Sequence, residues 1–188
     1  MNKTVVLTGV GRDKVGIVAE LTNALYELNC NLLDSSMTLL RGEFAVILMV
    51  SLPDNVSTDV LKGKLQAVEK RVGFTMHVRE LSGEEAKIGS EEGKSLIISV
   101  YGADKTGIVT GITKKIAELG LNITDLETQQ SGAAKSGSSS RTKPIFLMIL
   151  EVTGPASTSV EKVAAELKEV GKRLGVDVTV QEMEVMEL

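Results

Sequence analysis

Sliding the chain against itself exposes an internal repeat, and that repeat limits the possible folds more than any other feature. At an offset of 91, Asp13-Lys14-Val15-Gly16-Ile17-Val18 falls on Asp104-Lys105-Thr106-Gly107-Ile108-Val109. Asn31 falls on Asn122 and Asp34 on Asp125, and 10 of the 22 positions from 13 to 34 are identical. Farther along the offset becomes 102, with Phe44 on Phe146, Pro53 on Pro155, Leu65 on Leu167, Lys70-Arg71 on Lys172-Arg173 and Gly73 on Gly175. The step from 91 to 102 places an 11-residue insertion in the second copy, within 131–143. That stretch has no large apolar residue and is expected to be a mobile loop. Two copies in 188 residues imply a pseudo-symmetric pair of small domains, not a solenoid. The expected boundaries are one domain at 1–81, a Glu- and Gly-rich linker at 82–93, and a second domain at 94–188.

Each copy carries the same order of periodicities. Val5-Val6-Leu7 and Leu96-Ile97-Ile98 are short apolar strands. Val18, Leu21, Leu25 and Leu28, matched by Val109, Ile112, Ile116 and Leu119, recur at helical spacing. Asn31-Leu32 and Asn122-Ile123 open a second strand, and Phe44–Val50 and Phe146–Val152 form a third, apolar enough to be central. Leu61, Leu65, Val68 and Val72 define a second helix, as do Val163, Leu167, Val170 and Leu174, with Thr158 and Glu161 a candidate capping box at the start of the latter. Strict alternation at Phe74, Met76, Val78 and at Val176, Val178, Val180 gives a last strand with one wet face. The order is β-α-β-β-α-β, twice. Right-handed crossovers then put both helices on one face of a four-stranded antiparallel sheet, so the fold class is α+β, two ferredoxin-like domains.

Charge and cysteine content exclude several functions. Basic and acidic residues number 9 and 9 in 1–81, 2 and 4 in 82–94, and 10 and 12 in 95–188. No region has the basic excess that binding to a phosphate backbone requires, so direct nucleic-acid binding is not expected. Arg41-Gly42-Glu43-Phe44-Ala45-Val46-Ile47-Leu48 begins like an RNA-binding strand, but Glu43, Ala45 and Leu48 stand where bases would stack. The single cysteine, Cys30, rules out an intrachain disulfide framework and a multi-thiolate metal site. No apolar run approaches the roughly 18 residues of a membrane helix, and Met1–Lys3 runs straight into the first strand without a signal-peptide pattern. The chain therefore reads as cytoplasmic.

Two features repeat and carry chemistry. The first is the turn between the first strand and first helix, Gly11–Gly16 and Gly102–Gly107. A glycine there admits a backbone or a ligand at close range, and the free N–H groups and positive end of a helix favour a carboxylate. The structural alternative is that Asp13 and Asp104 cap their helices while the glycines relieve crowding. Gly9-x-Gly11 is no dinucleotide fingerprint, because Lys14 takes the third glycine position and Val100 replaces Gly9 in the second copy. The second feature is Asn31 with Asn122. Asparagine is a poor strand former, yet its amide donates and accepts at once, which suits a zwitterion; turn chemistry is the alternative. His77 and Cys30 lack counterparts, which are Thr179 and Leu121, and read as a solvated residue and a small packing residue. No metal site, cofactor or catalytic group is expected, and nothing supplies a nucleophile–base pair.

Gly-x-Asp-Lys-x-Gly-Ile-Val, then a helix, then Asn-(Leu/Ile) on the next strand, resembles the ACT domain, a small regulatory module of amino-acid metabolism with this βαββαβ order. The resemblance covers nearly the whole chain. Two such domains with no enzyme attached, and an insertion before Pro144-Ile145-Phe146, look most like the glycine cleavage system transcriptional repressor group. The resemblance implies a ligand between two modules, touching the first strand–helix loop of one and the start of the second strand of the other. On this sequence it implies Gly11, Asp13, Val15, Gly16 and Ile17, with Asn31 and Leu32, in copy one. In copy two it implies Gly102, Asp104, Thr106, Gly107 and Ile108, with Asn122 and Ile123. Two departures stand out. Many such loops carry Pro where Val15 and Thr106 stand, and members that bind serine carry Asn where Asp13 and Asp104 stand. An Asp there pairs with an ammonium and repels a carboxylate.

The resulting expectation is a non-catalytic sensor of a small amino acid, of the glycine or serine class, acting through a protein partner. Exposed sheet edges would allow pairing within one chain or in a homodimer. With a ceiling of about 1.5 kcal/mol per heavy atom, a five-atom ligand such as glycine gains at most roughly 7–8 kcal/mol, so micromolar affinity is the upper limit. The competing expectations are a pure interaction module and a regulatory subunit of an enzyme.

Overall fold

In the computed structural model, residues 3–82, 85, 93–131 and 144–183 are described. The order of elements is β1 (Lys3–Arg12), α1 (Ile17–Glu27), β2 (Asn31–Leu40), β3 (Glu43–Leu52), α2 (Thr58–Val72) and β4 (Phe74–Glu80). It then repeats as β5 (Lys94–Ala103), α3 (Ile108–Glu118), β6 (Asn122–Ser131), β7 (Ile145–Gly154), α4 (Val160–Leu174) and β8 (Val176–Glu182). Every element of the second half sits at the offset read from the sequence, 91 through β6 and 102 from β7 onward. The insertion thus joins β6 to β7. Its residues 132–143, and most of the 82–93 linker, lie outside the described residues.

The chain divides into two compact units, Met1–Gly89 and Ser90–Leu188. Each holds one antiparallel four-stranded sheet, ordered β2-β3-β1-β4 in the first and β6-β7-β5-β8 in the second. The first and third strands of each unit are central, each with one buried apolar face, and the second and fourth take the edges. Val5, Leu7, Val46, Leu48 and Val50 turn inward to meet Leu21, Leu25, Leu61, Leu65 and Val68 of the two helices in one buried cluster. Leu96, Ile98, Met148, Leu150 and Val152 meet Ile112, Ile116, Val163 and Leu167 in the other. Aliphatic cores of this size explain how the protein folds with 3% aromatic residues. Fully burying each such side chain contributes about 1.5–3 kcal/mol.

Details of the helices differ from the sequence-based expectation. Leu21, Leu25, Ile112 and Ile116 are buried as the spacing implies, but the stripe begins at Ile17 and Ile108, with Val18 and Val109 exposed, and Ala24 completes it in α1. Leu28 and Leu119 are C-cap residues beyond the last turn. The cap of α4 is Ser159, not Thr158: its hydroxyl accepts from the Lys162 N–H (3.2 Å) and donates to Glu161 (3.0 Å). Ser57 does the same for α2, accepting from Val60 N–H.

Candidate functional site

The turn between β1 and α1 is built by hydrogen bonds of the backbone. The Asp13 N–H donates to the Gly42 carbonyl (2.9 Å) and fixes where the strand ends. Gly16 is then the N-cap of α1, at φ 95°, and Gly107 is the N-cap of α3 at the same φ. Only glycine adopts that backbone without strain. Neither helix start has a side-chain cap, so Asp13 and Asp104 do not cap their helices. A Cβ added to Gly16 or Gly107 would meet nothing within 4 Å. The space over both turns is open.

Gly11 and Gly102 are different. A Cβ on Gly11 would lie 3.0 Å from the Phe74 ring and 3.2 Å from the Gly73 carbonyl; one on Gly102 would lie 2.8 Å from Val176 and 3.2 Å from the Gly175 carbonyl. The room these glycines leave is filled by the start of β4 and β8, and serves packing. Ile17 and Ile108 also belong to the cores, 2% and 1% exposed, so only their backbone amides face the turns. Val15 is fully exposed at the lip, and Thr106 is exposed in its place.

A surface groove with a volume of about 570 Å³ opens beside Val15 and Gly16, walled by Ala19, Glu20, Asn23, Arg71 and Val72. Its charges are partly spent on each other, because Arg71 donates to Glu20 through Nη2 at 2.7 Å. The Asp13 carboxylate makes no hydrogen bond or ion pair among the described residues, whereas Asp104 accepts a bond from Gln130 Nε2 at 2.6 Å. Leu39 stands at the position of Gln130 in the first unit, and cannot donate. The second unit differs electrostatically as well. Gly111 replaces Glu20, so α3 has no acidic residue in its first turn and its positive end is uncompensated.

Asn31 and Asn122 open the edge strands β2 and β6, opposite Ser51 and Thr153, and both are exposed. Within its own unit Asn31 does not line the groove at Gly16. Leu32 is 41% exposed and Ile123 partly buried against the second core. Directly after each pair the ladder slips, between Leu32 and Asp34 and between Ile123 and Asp125, leaving Leu33 and Thr124 as bulged residues. Bulges re-aim side chains and recur beside functional sites. Sequence pattern gave no sign of them.

The Lys of Asp-Lys-x-Gly has a role that sequence reasoning missed. Lys14 Nζ donates to the Val72 carbonyl at the end of α2 (3.0 Å), so it ties the β1–α1 turn to the C-terminus of the neighbouring helix. Lys105 Nζ lies equivalently, 2.8 Å from where a Cβ of Gly175 would be. A cation at a helix C-terminus is favourable. The signal was available: the lysine and the Lys-Arg-x-Gly ending of the second helix both repeat. His77 is exposed on β4, and Cys30 is half-buried against the first core, where burial pushes its thiol pKa up. No metal-holding group of His, Cys, Asp or Glu occurs among the described residues, and no described helix is long and apolar enough to cross a membrane.

Comparison with known proteins gives the following. The family model of the ACT domain matches residues 3–79. A UPF0237 protein of Clostridium acetobutylicum is 33% identical over 76 residues, spanning 40% of this chain and 85% of that one. A UPF0237 protein of Methanopyrus kandleri is 37% identical over 75 residues, 39% and 83% of the two chains. Among solved structures, a protein of unknown function from Galdieria sulphuraria is 29% identical with a TM-score of 0.79, covering 98% of this chain and all of that one. A structure provisionally named a glycine cleavage system transcriptional repressor has a TM-score of 0.75 over 98% and 99% of the two chains. At 16% identity it shows the fold.

Proposed function

The chain belongs to the ACT-domain family, and on that footing we propose that it is a non-catalytic regulatory protein that binds a small amino acid and acts through a protein partner. The carrying observation is the contrast among the glycines. Gly11 and Gly102 are packed shut, whereas Gly16 and Gly107 hold a left-handed backbone over empty space at uncapped helix starts. The left-handed backbone requires glycine at both positions and leaves the space over it open, and free N–H groups at a positive helix end attract a carboxylate. The second half of the site is Asn31-Leu32 or Asn122-Ile123 of a facing module, aimed by the bulge that follows. All ten residues of β2 are exposed, which leaves an unpaired edge for such a module, in the same chain or in a homodimer.

Glycine and serine are the favoured effectors, on the likeness to the glycine cleavage repressor structure and because the groove beside Gly16 is walled in part by the polar and charged side chains of Glu20, Asn23 and Arg71. Control of transcription in amino-acid metabolism is the downstream role that the likeness to the glycine cleavage repressor structure suggests for this chain; with 21 basic against 25 acidic residues and no basic excess to hold DNA, it would act through another protein. The test is thermal unfolding of the full chain with each of the twenty amino acids at millimolar concentration. An effector at 100 times its Kd adds about 2.7 kcal/mol of stability, a shift of several degrees. Glycine or serine is expected to raise the Tm, and Val15→Glu, at a fully exposed position, to abolish the shift while leaving the ligand-free Tm in place. If no amino acid raises the Tm, the protein is an interaction module without an effector.

A further inference from the structure

We propose that the open face of the second sheet, the one turned away from α3 and α4, docks a protein segment that presents apolar side chains between flanking lysines or arginines. The strand registers place Ile97 and Tyr101 of β5 beside Ile145, Leu147 and Ile149 of β7, along the two central strands. Three of these are markedly exposed: Tyr101 at 49%, Ile149 at 40% and Ile145 at 36%. A small cavity of about 80 Å³ opens on the same face beside Glu127, Gln129, Leu147 and Ile149. An apolar centre with an aromatic anchor is the make-up of a docking surface.

The margins of that face set the chemistry of the occupant. Asp125 and Glu127 lie on the edge strand β6, Glu151 on β7, and Asp177 on the other edge, β8. No Lys, Arg or His shares the face among the described residues. Asp125 stands directly opposite Glu151, a like-charge cross-strand pair that is unfavourable until a cation comes between them. The duplication supplies an internal control. The corresponding face of the first sheet carries Asp34 and Glu43 against Arg12 and Arg79, with His77, and Asp34 there faces Met49. Charge balance was kept in one copy and abandoned in the other, so the scaffold itself does not demand the carboxylates. Their sign repels a phosphate backbone, an anionic lipid surface, and the same face of a second copy, and it matches a basic polypeptide.

This rests on the proposal above that the protein works through a partner, and deepens it. Its test uses no amino acid, so the effector reading stands or falls separately. The full chain is titrated with a fluorescein-labelled amphipathic Leu/Lys peptide of 18 residues, alongside a Leu/Glu peptide of the same apolar pattern, and the footprint is read by amide hydrogen exchange. The Leu/Lys peptide is expected to bind and to protect β5 and β7. Tyr101→Ser/Ile149→Ser is expected to weaken binding at least tenfold, and Asp125→Asn/Glu151→Gln likewise, with a shallower salt dependence. Ile47→Ser, on the first sheet, should leave it unchanged. Equal binding of the Leu/Glu peptide, protection confined to other strands, or indifference to both double variants would overturn the proposal. So would sedimentation showing a dimer that Tyr101→Ser/Ile149→Ser dissociates, because the face would then belong to a second copy.

Discussion

Gly9 has no glycine partner in the repeat: Val100 stands in its place, and Phe74 is exchanged for Val176 in step. The two exchanges are one packing solution written twice. A Cβ on Gly9 would sit 2.1 Å from the Phe74 ring, which also lies 5.6 Å from the Phe44 ring, centroid to centroid. Gly9→Val should therefore destabilise the first unit by about 2–3 kcal/mol through overpacking, and Phe74→Val by about 1–3 kcal/mol through the cavity it leaves. The double variant reproduces the second unit's solution, so its loss should be well below the sum, a favourable coupling readable by urea denaturation of the four proteins. Failure of the two changes to compensate would show that the ring is not what excludes a side chain at Gly9. This pair was not legible in one pass along the sequence, since a glycine looks the same whether it faces a ring or a void. The fates of Gly11 and Gly16 divide for the same reason, and only coordinates distinguish them.

At the scale of elements, far more could be read. Among the described residues, alternation and helical spacing gave all twelve elements and their order, and the change of offset gave the site of the insertion, because burial of one face per element imposes those periods. Element ends were less legible. Thr158 has the glutamate three residues on that a capping box needs and Ser159 does not, yet Ser159 is the residue that enters the helix from an extended conformation and caps it. The Lys14 tie between the β1–α1 turn and the end of α2 is a contact across 58 residues, beyond any local pattern. Replacing Lys14 by Met keeps the stem and deletes the donor. We expect a loss of about 1 kcal/mol, seen as a lower urea midpoint, and faster hydrogen exchange at the C-terminus of α2. An unchanged midpoint would mean that water replaces the ammonium at no cost.

Across the whole molecule, many exposed carboxylates are held ionised by hydrogen bonds. Glu85 is lowered to about 2 by the Ser82 backbone N–H and by Arg79. Glu27 is lowered by Lys64, Glu80 by the Thr58 hydroxyl and Lys3, Glu118 by Lys115, and Glu169 by Lys172. Each binds its proton more weakly folded than unfolded, so the stability they contribute is complete above the ordinary value of 4.5 and is lost as pH falls from there toward 2. The Tm should be nearly flat from pH 8 to about 5 and should fall below about 4.5, an effect blunted by salt because these pairs are exposed. A Tm that rises on acidification would contradict it. None of this touches the central claim, that the open helix starts at Gly16 and Gly107 receive an amino acid. The most direct measurement is a titration of the isotopically labelled full chain with glycine and serine, followed by the backbone amide resonances. Saturable shifts should concentrate at residues 15–18 or 106–109, with a second set at Asn31-Leu32 or Asn122-Ile123. Amides that stay still at those turns up to 10 mM ligand, or that move elsewhere on the fold, would contradict the account.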